Sequence, residues 1–241
     1  MNKNPNLKIV GFFGQSGAGK TTIIRNVRTP INGQRIAQNT GIIRYLFQKN
    51  SNSYTNPVEL LRKYSKELEE MKPTEKRAKI DEIYEKYVRS QLQLLNDFST
   101  EVFLATQYTY TTPTILLIDR SPVDFYALTI CGLNYLKDKL GRPFNDQCKM
   151  FVEFTRKTAE INTQNFFDAI TITNPWKASD INKELNDGVR DQYLTEFYTE
   201  KNWYGNLDDI DTTSVKLFSI DGSITDLNRR AEIVETQLVE V

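Results

Sequence analysis

Eight consecutive residues, Gly14-Gln15-Ser16-Gly17-Ala18-Gly19-Lys20-Thr21, match the pattern G-x-x-x-x-G-K-[ST] at every fixed position. The chemistry this spacing serves is phosphate binding. Glycines let a backbone wrap around a phosphate in conformations closed to other residues. The N–H groups exposed by that wrapping form an anion nest at the start of a helix, where the backbone dipole also favours negative charge. Lys20 brings a mobile positive charge to the β- and γ-phosphates of ATP or GTP, and the Thr21 hydroxyl is placed to ligate Mg²⁺. A turn with only a structural role needs neither Lys nor Thr here. Gly14, Gln15, Ser16, Gly17, Ala18, Gly19, Lys20, Thr21 and the following Thr22 are the expected nucleotide-binding residues.

A second cluster follows the apolar run Thr114–Asp119. A buried strand there carries a carboxylate to the carboxyl edge of the sheet, where open α/β proteins bind ligands. Asp119 is therefore expected to serve Mg²⁺, or to take a proton from an attacking hydroxyl. Arg120 stands beside it as a cation able to grip a substrate phosphate or hydroxyl, the alternative being a surface ion pair. Ser121-Pro122-Val123-Asp124 fits a helix start, with Pro at the first helical position and an acid at the third, so Asp124 reads as a capping residue. The chain has no histidine. Ser–His and Cys–His triads are excluded, and proton transfer falls to Asp, Glu, Lys, Tyr or water.

Both clusters need a scaffold. Five apolar runs read as strands: Leu7–Phe13, Arg35–Gln38, Thr114–Asp119, Phe167–Thr173 and Val215–Ile220. The glycine-rich motif follows the first and opens an amphipathic helix bearing Ile23, Ile24 and Val27, as such a motif requires. Helical patterns between most strands argue for βαβ units and a parallel sheet. Asn56-Pro57 starts a helix in which Val58, Leu61, Tyr64, Leu68 and Met71 recur at helical spacing, ended by Pro73. The next helix carries Ile80, Ile83, Tyr84, Tyr87, Leu92, Leu95 and Phe98 on one face. This pair is expected to rise over the carboxyl edge of the sheet, either as a substrate-binding element or as a hairpin that only packs on the core.

The chain of 241 residues suits one sizeable α/β domain. Lysine plus arginine equals aspartate plus glutamate, at 31 each, so no global field favours nucleic acid or an anionic membrane. No apolar run is long enough to span a bilayer, and the N-terminus has no signal-peptide core. The two cysteines, Cys131 and Cys148, lack metal-ligand spacing, and a cytoplasmic setting is the simplest expectation.

Asp119-Arg120-Ser121-Pro122 resembles the D-R-S-P element of small P-loop kinases related to the nicotinamide riboside kinase domain. More distantly it is similar to the D/E-R-S and D-R elements of deoxynucleoside and thymidylate kinases. Asn174-Pro175-Trp176 and then Asp187-Gly188-Val189-Arg190 resemble the stretch that enters the first group's arginine-bearing lid. Asp221-Gly222-Ser223, before a helix with Arg229 and Arg230, resembles the loop that lies near adenine in such kinases. The segment Ser51–Val88 is larger than in the family, and so is the gap from Trp176 to Asp187.

The resemblance implies a three-layer α/β P-loop NTPase fold of the nucleoside and nucleotide kinase type, with a five-stranded parallel sheet in the order 2-3-1-4-5. The single domain, 1–241, would carry a helical insertion at about 51–105 and a lid at about 177–205. The expected activity is Mg²⁺-dependent transfer of the γ-phosphoryl group of ATP to a nucleoside, nucleotide or related riboside. Lys20 and Arg190 would neutralise developing charge, Thr21 and Asp119 would hold the metal, Asp119 would double as base, and Arg120 would hold the acceptor. Two other readings stay open. One is a kinase acting on a hydroxymethylated base in DNA, with nucleic acid as partner. The other is an ATPase or GTPase switch acting through a protein. The Asn-, Thr- and Tyr-rich style suggests a phage or low-GC source, hence a host cytoplasm.

Overall fold

The computed structural model describes residues 4–15, 17–28, 30–49, 53–174 and 203–241. Five strands form one parallel sheet: β1 (Leu7–Phe13), β2 (Arg35–Asn39), β3 (Thr114–Ile118), β4 (Ala169–Thr173) and β5 (Lys216–Ile220). Their order is β2-β3-β1-β4-β5, the order the resemblance implied. The bounds differ from the sequence reading by a residue or two at most strands. Asp119 lies one residue past β3, although its N–H still donates to Asn39 O at 3.2 Å. Phe167 closes the preceding helix instead of opening β4.

The sheet is buried on both faces, and the pleat sorts its side chains. From β1, Leu7, Ile9 and Phe13 face one cluster, and Val10 and Phe12 face the other. On β3, Leu116 and Ile118 point the first way and Ile115 and Leu117 the second. The second face is covered by α1 (Lys20–Asn26) and the C-terminal helix α7 (Leu227–Leu238). The first is covered by α2 (Ile42–Lys49), the second half of α4 (Pro73–Thr106), α5 (Pro122–Leu140) and α6 (Asp146–Phe166). Helices, sheet and helices make three layers.

A third cluster contains no strand residue. It joins α3 (Pro57–Glu70), the first half of α4, the second half of α5 and the start of α6. α5 leaves the carboxyl edge of the sheet after β3, so this cluster overhangs that edge. Asn56 caps α3, accepting from Val58 N at 2.8 Å, with Pro57 at the first helical position. The buried register is Pro57, Leu60, Tyr64 and Leu68. Leu60 thus takes the core position expected of Leu61, because Pro57 and not Val58 starts the stripe. On α4, Gln91 and Leu94 are buried and Leu92 is half-buried, since the helix is wrapped by neighbours on more than one side. α5 is buried nearly all round, as a helix between two others must be.

α4 and α5 approach closely at Gly132. A Cβ there would sit 1.9 Å from Tyr87 Oη, which donates to Leu128 O at 2.6 Å. Alanine normally stabilises a helix relative to glycine. At Gly132 the sign should reverse: Gly132→Ala is expected to cost about 1–3 kcal/mol through overpacking. Urea unfolding measures it; because Tyr87 Cζ and Cε1 would also lie at 2.2 and 2.5 Å from that Cβ, Tyr87→Phe in the same chain should not recover the loss.

Candidate active site

β1 lies between β3 and β4, and the chain winds first to one side of it and then to the other. The crevice at such a switch point opens where β1, β3 and β4 end. Three segments meet there: the glycine-rich loop after Phe13, Asp119-Arg120 after β3, and Thr173-Asn174 at the end of β4.

The loop is held tightly at its start. A Cβ on Gly14 would lie 2.3 Å from Thr173 Oγ1 and 2.6 Å from Thr173 O, so no other residue fits without moving β4. Thr173 Oγ1 in turn donates to Phe13 O at 2.9 Å. At the loop's end Gly19 takes a left-handed conformation, φ 81°, and its carbonyl accepts from Ile23 N at 2.8 Å to begin α1. Thr22 is exposed on the first turn of α1, and Gln15 and Ala18 are buried. Ser16 lies outside the described residues.

Lys20 is buried inside the loop, its Nζ donating to Gly14 O at 2.6 Å and Gln15 O at 2.7 Å. Burial lowers its pKa to about 7, and the nearby Arg120 pushes the same way, while Asp124 and Asp119 oppose both. The Thr21 hydroxyl donates to Asp119 Oδ2. Desolvation raises the Asp119 pKa, countered by Lys20, the Thr21 hydrogen bond and Arg120. A carboxylate and a hydroxyl in contact at the mouth of this loop are hard oxygen donors. They fit Mg²⁺, which takes one or two protein oxygens and completes its shell with phosphates and water.

Asp124 does more than cap α5. Its carboxylate is fully buried. Oδ2 accepts from Ser121 N and Ser121 Oγ, both at 2.8 Å, and Oδ1 accepts from Gly14 N at 3.2 Å and Arg120 Nη1 at 3.1 Å. Arg120 Nη1 also reaches Gly14 O at 3.3 Å. Arg120 therefore sits against the loop in a buried ion pair, and the surface ion pair weighed from the sequence is replaced by one whose acid has no solvent contact.

No family model and no curated protein sequence matches the chain. Among the solved structures that resemble the chain are two kinases. Thymidylate kinase from Candida albicans is 13% identical with a TM-score of 0.46, the match covering 97% of this chain and 89% of that one. Deoxyadenosine kinase from M. mycoides, with the products dCMP and a flexible dCDP bound, is 15% identical with a TM-score of 0.47, covering 97% and 100%. At those identities the likeness is one of fold, and the chemistry rests on the geometry above.

Two parts of the site receive no role from the sequence. The first is Arg230, whose side chain is fully buried. It donates to Ile224 O at 2.6 Å, Ala18 O at 3.2 Å, Asn174 O at 3.3 Å, and Asp221 O and Gly222 O at 3.4 Å each. It ties the glycine-rich loop to the ends of β4 and β5. The signal is present: Arg230 falls on the buried stripe of α7 with Ala231, Val234 and Leu238, whereas Arg229 is exposed and paired with Glu232 at 2.8 Å. The second part is Trp203-Tyr204. Trp203 is fully buried and stacks on Phe13 at 6.1 Å, and Tyr204 Oη donates to Thr173 O at 2.6 Å and accepts from Gln15 N at 3.5 Å. Both fall within the lid expected at about 177–205, yet they pack in the core beside the loop. Trp176, Asp187, Gly188 and Arg190 lie outside the described residues.

The lowered pKa of Lys20 generates a prediction. Between pH 7 and 9 the buried amine is increasingly neutral, and bound phosphates would restore its proton. Nucleotide binding should therefore take up close to one proton at pH 8 and almost none at pH 6. Calorimetry in buffers of different ionisation enthalpy reads this directly. Lys20→Arg, charged throughout this range, should bind with no uptake from this site at either pH.

Proposed function

We propose that this chain is an ATP-dependent, Mg²⁺-requiring phosphotransferase whose acceptor is a nucleoside, a nucleotide or a related riboside. The observation that supports it most directly is the contact of the Thr21 hydroxyl with Asp119, beside Lys20 at the mouth of the glycine-rich loop. Thr21 and Asp119 would hold Mg²⁺, which would offset the charge of the phosphates. Lys20 neutralises charge developing on the β- and γ-phosphate oxygens. Asp119, made more basic by burial, accepts the acceptor's hydroxyl proton, directly or through water, as that oxygen bonds to the γ-phosphorus and the bond to the ADP oxygen breaks. Arg120, on the same edge, serves the acceptor side with a fixed cation.

An arginine supplied in cis favours transfer over a switch that needs one from a partner. Arg190 is proposed as a second cis arginine, from the sequence alone. The helical pair, α3 and the start of α4, overhangs the edge where an acceptor would stand, which suits a substrate-binding insertion. ADP release screened across nucleosides, nucleotides and DNA bearing hydroxymethylated bases tests the reading. Release with one small acceptor class supports it, and release only with a partner protein present refutes it.

Lys20→Ala should fold normally and lose at least about 10²-fold in turnover, because electrostatic stabilisation is the main device of phosphoryl transfer. Asp119→Asn should still bind ATP but turn over poorly, most severely at limiting Mg²⁺. Wild-type rates in either folded variant would remove that residue from the chemistry. Arg190→Ala should lower kcat more than it raises KM for ATP, as expected of a group that acts mainly in the transition state. An unchanged kcat would exclude it.

A further inference from the structure

The balance of charge along this chain is uneven. The first 58 residues contain eight lysines and arginines and no aspartate or glutamate, and the first acid is Glu59. Because the whole chain is balanced at 31 of each sign, everything after residue 58 carries the compensating excess of acid. Part of this positive charge is answered by acids from later in the chain, Lys8 by Asp168 at 3.6 Å and Lys49 by Glu101 at 3.7 Å. The acid-free segment builds β1, the glycine-rich loop, α1, β2 and α2, so any acid near these elements comes from elsewhere in the chain.

α2 is where this charge meets aromatic surface. Ile42 and Leu46 are buried and Ile43 is packed against the same core cluster. At 100° per residue, the outward arc then runs through Phe47, Arg44, Gln48 and Tyr45, and Lys49, nearly in line with Ile42, is exposed at the helix end. All five are exposed and none is acidic. Tyr45 keeps 47% and Phe47 45% of its surface exposed, among the largest exposed apolar side chains of the described residues. The two rings stand on opposite shoulders of the helix with Arg44 and Gln48 between them. Lys49 lies over the Tyr45 ring at 5.4 Å and is shared with Glu101 at 3.7 Å. Phe47 is braced edge-on by Tyr54 at 5.2 Å.

The place is as informative as the composition. β2 is an edge strand, and its last residue, Asn39, accepts a hydrogen bond from the backbone of Asp119. α2 begins three residues later, at that edge, and descends from it along the flank of the sheet, so that its last residue, Lys49, meets Glu101 near the C-terminal end of α4.

We propose that the exposed side of α2, with Tyr45 and Phe47 as stacking platforms and Arg44 and Lys49 as phosphate contacts, docks a single-stranded polynucleotide on the flank that descends from the catalytic edge. Unpaired bases present faces that stack on aromatic rings without regard to sequence, and their backbone needs cations spaced between those rings. A duplex hides those faces. An anionic membrane would ask for one continuous apolar face, and here the rings are separated by a cation and an amide. This goes beyond the acceptor class proposed above. Binding is measured without ATP, so its outcome is independent of whether the chain is a kinase.

The test is fluorescence anisotropy of a labelled 20-residue oligothymidylate against the full chain at several salt concentrations. Binding in the roughly micromolar range is expected at low salt, weakening steeply as salt rises. Tyr45→Ala with Phe47→Ala should reduce affinity about tenfold or more while leaving the salt slope unchanged. Arg44→Gln with Lys49→Gln should flatten the slope by about 0.7 for each phosphate that is no longer neutralised. Gln48→Glu adds one carboxylate to the arc, removes nothing the fold uses, and should weaken binding several-fold. Three results overturn the proposal: no binding at low salt, equal binding by the double aromatic variant with an unchanged melting temperature, or binding to vesicles containing phosphatidylserine but not to the oligonucleotide.

Discussion

The buried carboxylate of Asp124 is the interaction on which the rest of the site depends. It has no solvent contact, and it takes four hydrogen bonds from Ser121, Gly14 and Arg120. An ionised group so enclosed is tolerable only when every lone pair is answered. Its presence allows two cations, Lys20 and Arg120, to stand within one small crevice. Without it, Lys20 would face the desolvation and the Arg120 repulsion that already lower its pKa, with Asp119 alone in opposition. The same carboxylate starts α5, so the first turn of one core helix and the first residue of the glycine-rich loop are positioned by a single group.

Arg230 is the counterpart at the other end of the loop. Asp124 accepts from the N–H of Gly14, and Arg230 donates to the carbonyl of Ala18. The glycine-rich loop is thus held between a buried acid and a buried arginine from opposite layers of the sandwich. Arg230 loses hydration in doing so, which lowers its pKa, and the carbonyls it gathers from the ends of β4 and β5 offset that cost. Such preorganisation is what electrostatic catalysis requires, because donors already aimed need not reorient during the reaction. Tyr204 adds a third tie, joining the loop to β4 through one hydroxyl.

The layer facing α4, α5 and α6 does a different task. Its lower part is ordinary core, with Phe98 and Phe125 in contact at 4.8 Å. Its upper part leaves the sheet and becomes a helical bundle with its own apolar cluster. The close approach of Gly132 to Tyr87 locks the two long helices where one cluster passes into the other. The bundle therefore stands over the carboxyl edge as a wall of its own.

By itself the sequence determined what local chemistry dictates. Gly14–Thr21 announced its loop because only glycine meets those backbone demands. The strands were legible because a sheet buried on both faces leaves runs of apolar residues. Asn56-Pro57 and Ser121-Pro122 marked helix starts because capping is a matter of neighbours. Tertiary structure alone decided the long-range ties. Asp124 and Gly14 are 110 residues apart and Arg230 and Ala18 are 212 apart, and no local rule pairs them. It also decided that Trp203 and Tyr204, aromatic neighbours in a loop-like stretch, close against Phe13. The choice of Leu60 over Leu61 as the core residue of α3 depended on what packs against that helix. Burial is a property of the assembled layers, and it turned an anonymous cap and an anonymous arginine into the two anchors of the site.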